Sequence, residues 1–124
     1  MQLASFAILS AVVLLGLLLV LLHGTGRMRA VPTLGKVHGG LGAAGAALFA
    51  ASLRPNPRAA EMGASGFGTA GVVLLALAIL AGLLIWRVRF RKGDPMLAIG
   101  LHATLAIFGF ALIAAYVAVV GPTL

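Results

Sequence analysis

From Leu3 to Leu22 the chain carries no charge, and only Ser5, Ser10 and Gly16 break the apolar run. About 20 apolar residues, coiled as a helix, match the thickness of a bilayer's hydrocarbon core. Lipid offers no hydrogen-bond partner to an open backbone, so a continuous run of that length is stable there as a spanning helix. Three more segments read the same way, 33–53, 67–86 and 96–120. Four spans use most of the 124 residues. The expectation is one transmembrane domain over 1–124, all-α, an integral membrane four-helix bundle running up-down-up-down. Composition agrees: the chain is 62% hydrophobic with a mean hydropathy of +1.17, against about 45–50% apolar in soluble domains. The first run lacks a preceding basic residue and exceeds a signal-peptide core in length, so it is expected to be retained.

The breaks between runs have recognisable causes. Pro32 suits a first helical turn, where a missing N–H costs nothing. Arg54-Pro55-Asn56-Pro57-Arg58 stops the second helix, because two prolines so close cannot continue it. Residues 59–66 complete that loop. Gly93-Asp94-Pro95 reads as a turn, and Gly121-Pro122 closes the last helix. Nine Lys/Arg against two Asp/Glu give a net charge of +7. Seven of the nine (Arg27, Arg29, Lys36, Arg87, Arg89, Arg91 and Lys92) lie in or beside the first and third loops. The positive-inside rule then puts loops 23–32 and 87–95 in the cytoplasm and both termini outside. Charge so placed sets topology and meets anionic lipid; it is not a nucleic-acid footprint. Trp86 and Tyr116 fit interfacial anchors. The Arg-over-Lys, Ala/Gly-rich make-up points to a bacterial inner membrane.

A string in the second run returns in the fourth. His38–Ala51 and His102–Ala115 agree at 7 of 14 positions, at an offset of 64 residues. Ala and Leu matches are cheap in such a chain. The paired His and the paired Gly45 and Gly109 are not. The chain therefore reads as a tandem repeat of two helical hairpins, with halves 1–62 and 63–124. Both repeated helices run outward from the cytoplasmic side, and each His lies roughly 9–10 Å along its helix. Parallel repeats imply a pseudo-two-fold axis along the membrane normal. Helices two and four are then diagonal across the core, and His38 and His102 aim at one central position from opposite sides.

Two neutral imidazoles on opposite faces of one porphyrin are the axial ligands of a six-coordinate haem b, which needs no covalent attachment. The chain has no Cys, so any cofactor is held by His, Met or backbone. Seven residues return to nearly the same helix face. Gly45 and Gly109, with Gly42 and Ala106 at four residues, would therefore make a small-residue stripe for the macrocycle. Lys36 and the loop arginines stand where haem propionates would face.

On His38, His102, Gly45 and Gly109 the chain resembles the small four-helix b-type cytochromes of membranes. The likeness covers the helical core and is architectural. It implies an electron-transfer subunit with one bis-histidine haem b, exchanging electrons with quinol or a redox partner, alongside other membrane subunits. Many members of that class carry two histidine pairs, one per leaflet. This chain has no second pair in the outer half of its helices, so the resemblance implies a single haem near the cytoplasmic side. No residues mark a quinone site.

The main alternative is a non-catalytic structural subunit of a larger membrane complex, with the histidines serving helix packing. Gly35-x-x-x-Gly39 is a helix-association pattern in its own right. His23 reads as an interfacial residue, its repeat equivalent being Arg87. Met28 and Met96 are scattered. Glu61 and Asp94 both fall in loops, which excludes proton coupling through a membrane-embedded carboxylate of the kind small multidrug transporters use. No nucleophile–base set, acidic pair or phosphate loop is present, so a stand-alone hydrolase or transferase is not expected.

Overall fold

The computed structural model describes residues 1–25, 31–90 and 96–121, and the described residues form helices and no strand. In chain order these are α1 (Gln2–Gly24), α2 (Val31–Ser52), α3 (Pro57–Glu61), α4 (Ser65–Phe90) and α5 (Met96–Val120). Three of them, α1, α4 over 65–88 and α5, are long and apolar enough to cross a membrane. The chain is a helical membrane protein by that measure. Of the four expected spans, these three qualify and α2 does not. α2 has the length, at 22 residues, but its five glycines, Lys36 and His38 dilute its hydropathy.

Boundaries moved where polar residues prolong a helix. α4 continues through Arg87 to Phe90, so the expected loop 87–95 begins later than its charges suggest. Arg is a good helix former, and nothing before Gly93 breaks the pattern. Likewise His23 and Gly24 end α1, and Val31 and Pro32 open α2. The cores of the first and third loops, 26–30 and 91–95, lie outside the described residues.

The loop expected over 54–66 contains α3. Asn56 caps it, accepting a hydrogen bond from the Ala59 N–H at 3.3 Å, and Pro57 supplies the first turn. Gly63, at φ +67°, ends it in a left-handed conformation that costs a glycine nothing. Ala64 N–H then reaches Ala59 C=O at 2.7 Å and Gly63 N–H reaches Ala60 C=O, the paired closure of a Schellman cap. Arg54 closes α2 by donating from one Nη1 to the carbonyls of Ala51 and Leu53.

α1 pairs antiparallel with α2, and α4 with α5; α2 also touches α4, and α1 touches α5. The contacts therefore run in the cyclic order α1, α2, α4, α5. α2 and α5 run the same way and meet across the middle through two ring pairs. One is Phe49 with Tyr116, centres 6.3 Å apart; the other is His38 with His102. Phe6 stacks on Phe110 at 5.4 Å where α1 meets α5. Tyr116, expected at the interface, is buried, and its hydroxyl donates to the Arg54 carbonyl over 3.4 Å. Trp86 is exposed as expected.

Packing is uneven along the axis. The core of Leu9, Ala46, Phe49, Ala59, Leu75, Ile113 and Tyr116 fills the end near α3. On the far side of the histidines only Ala81 and Ala98 are buried among the described residues. Because lipid is as apolar as a side chain, packing rather than water exclusion holds these helices. Ile113, fully buried, should show it. Ile113→Ala removes three carbons, and the cavity term alone costs about 2 kcal/mol. A clear drop in melting temperature in detergent is expected. Leu97→Ala, at a site 87% exposed, should melt like the parent.

Candidate paired-histidine site

The two histidines lie near the beginnings of α2 and α5, each roughly two turns in, and their ring centres stand 5.8 Å apart with planes at 72°. Each ring is tied to the other helix of its own pair. His38 Nδ1 lies 3.1 Å from the Val12 carbonyl oxygen on α1. His102 Nδ1 lies 2.7 Å from the Ala78 carbonyl oxygen on α4. A carbonyl only accepts, so Nδ1 carries the proton in both rings. In the neutral imidazole Nε2 is then left with a lone pair. The two rings come from different helices, and each is oriented by a backbone acceptor. That is the outer-shell arrangement that fixes tautomer and raises basicity in metal-binding histidines.

The contacts repeat in register. Ala78 stands 66 residues after Val12, Gly82 stands 66 after Gly16, and the histidines are 64 apart. Gly16 and Gly82 lie directly against the rings. A Cβ on Gly16 would sit 3.0 Å from His38 Cε1, and one on Gly82 would sit 3.3 Å from His102 Nδ1. Sequence reading missed both. His38 and His102 were visible as a pair, but α1 and α4 differ too much in sequence to align by eye. An alignment anchored on Gly16 and Gly82 would have found them.

The expected macrocycle stripe is placed elsewhere. Gly42 faces Val12, and Gly45 faces Ile8 and Leu9, all on α1. Gly109 lies against the backbone of Gly71 and Leu75 on α4. These glycines bring the members of each helix pair together. Ala106 is half-buried, and Lys36 is exposed two residues before His38, about half a turn away and so not on the same face.

Among the described residues no three His, Cys, Asp or Glu gather. A bare zinc ion takes four protein or water ligands, so two imidazoles suit it poorly. They do suit a metal whose other four ligands come with a macrocycle. Metal–imidazole bonds are about 2 Å, so two imidazoles on one metal would have centres roughly 6 Å apart; the ring centres here stand 5.8 Å apart. The packed core also stops at this layer. What fold and site define is a helical membrane protein with a preoriented imidazole pair. No protein-family model, curated protein or solved structure matches the chain.

Proposed function

We propose that this is a membrane electron-transfer protein holding one haem b between His38 and His102, as a cytochrome b-like subunit. The observation that carries the reading is the convergence of two Nδ1-anchored imidazoles at 5.8 Å from helices that face each other across the molecule. The bound haem would supply a one-electron iron couple. The chain's own part is to offer two Nε2 lone pairs, hold their rings through the Val12 and Ala78 carbonyls, and surround them with apolar helices. The registered contacts of α1–α2 and α4–α5 support a tandem repeat in an up-down-up-down four-helix bundle, with α2 spanning through its packing against α1 and α4. Basic loops 23–32 and 87–95 would face the cytoplasm, and both termini the outside, of a bacterial inner membrane. Quinol or a redox protein is the proposed exchange partner, within a larger set of membrane subunits.

The second reading also has an observation behind it. The histidine–carbonyl contacts tie α1 to α2 and α4 to α5, and Gly42, Gly45 and Gly109 are spent on helix contacts. A non-catalytic subunit needs no more than that. Purified protein in detergent separates the two. One haem b per chain, with a sharp α band on dithionite reduction, supports the electron-transfer reading. Colourless protein, from cells supplied with haem precursor, ends it in favour of the packing role.

A further inference from the structure

In an α-helix the carbonyl of residue i already accepts the N–H of residue i+4. Side chains tilt back toward the helix N-terminus, so the side chain at i+4 overhangs that carbonyl. An outside donor reaches it only where i+4 carries little. Val12 and Ala78 are the carbonyls the histidines use, and the residues four further on are Gly16 and Gly82. Their missing β-carbons are the space the rings occupy: a Cβ would lie 3.0 Å from His38 Cε1 in one case, and 3.3 and 3.4 Å from His102 Nδ1 and Cε1 in the other.

We infer that Gly16 and Gly82 are positioning residues that set the histidine tautomers. By admitting each ring to a carbonyl already engaged in its helix, they fix the proton on Nδ1 and leave the lone pair on Nε2. Each glycine acts on one histidine only, Gly16 on His38 and Gly82 on His102. The bearing of this on iron rests on the haem reading; the tautomer assignment does not.

The test is nitrogen-15 NMR of the full chain, histidine-labelled, in detergent and reduced with dithionite, which also keeps any low-spin haem diamagnetic. The parent should show both rings as Nδ1–H. Gly16→Val should remove the Nδ1–H pattern from His38 and keep it on His102; Gly82→Val should do the reverse. Gly16→Ala and Gly82→Ala carry the same test at lower strain should the valine variants fail to fold. Gly45→Ala is the matched control, because its Cβ meets Ile8 at the same 3.0 Å across the same α1–α2 contact; both tautomers should survive it. In colourless protein, parent rings found as Nε2–H, tautomers indifferent to Gly16 and Gly82, or a His38 switch in Gly45→Ala each overturn the inference. A colourless protein that still switches ends the haem reading alone. In coloured protein, iron on Nε2 would itself hold the proton on Nδ1, so the readout there is ligation: valine variants that keep both the Nδ1–H pattern and the parent low-spin spectrum end this one alone.

Discussion

Gly71→Val and Gly109→Val should each strongly destabilise the protein in detergent, while Gly39→Val leaves its stability unchanged. A Cβ on Gly71 would lie 2.7 Å from Ile113 Cγ1, 2.9 Å from the Gly109 carbonyl oxygen and 3.2 Å from the Ile113 nitrogen. A Cβ on Gly109 would lie 3.0 Å from the Gly71 carbonyl oxygen and 3.1 Å from the Leu75 nitrogen. Most of these neighbours are helix backbone, which cannot turn aside as a side chain can. α4 and α5 must therefore separate, and the loss spreads to Ile113 and Tyr116 above the crossing. Overpacking in a tight core costs about 1–3 kcal/mol for a few methylenes, and a rigid-body separation costs more. Against a total stability of about 5–15 kcal/mol, at least 3 kcal/mol is expected. A fall of about 10 °C or more in melting temperature follows, read by circular dichroism, with aggregation on size exclusion. Gly39 has no atom within 4 Å of its would-be Cβ, so a side chain there meets open space. Variants at Gly71 and Gly109 that melt with the parent would refute the crossing.

That result also marks how much the sequence disclosed. Apolar run length located α1, α4 and α5, because the bilayer makes length decisive. It was less secure for α2, where glycines and two polar residues lower hydropathy, and it gave no sign of α3. That short helix depends on the Asn56 cap and on Gly63's positive φ, local features hidden among residues first read as breakers. The histidine pair was legible because the string around His38 returns around His102, and the two rings do come together. The role of the glycines was not. Gly45 and Gly109 lie seven residues from their histidines and invite assignment to the same face. Seven residues of a straight helix still leave about 20° of drift, and helix packing decided which neighbour that angle meets. Gly16 and Gly82 escaped notice because their partners are on another helix, and one sequence does not show which helix crosses which at what height.

His38→Gly and His102→Gly should each remove the low-spin spectrum, and millimolar imidazole should restore it. On the proposed haem reading each substitution would take away one of two ligand nitrogens; it leaves a slot open against Gly16 or Gly82. Free imidazole entering the slot meets the same carbonyl, of Val12 or of Ala78, that oriented the native ring. Changes to an outer-shell partner commonly cost 10–100-fold in metal affinity; loss of a ligand itself should exceed that and leave either a high-spin haem or none. The two variants should behave alike, because each ring has the same kind of surroundings, a backbone carbonyl and a glycine. His23→Gly, at the far end of α1, should keep the parent spectrum. Rescue separates ligation from packing: a histidine needed only to tie two helices would leave a destabilised protein whose melting temperature, not its colour, responds to imidazole. Colour that persists in either single variant would show that the iron takes its ligands from elsewhere, and the paired-imidazole reading would fall with it.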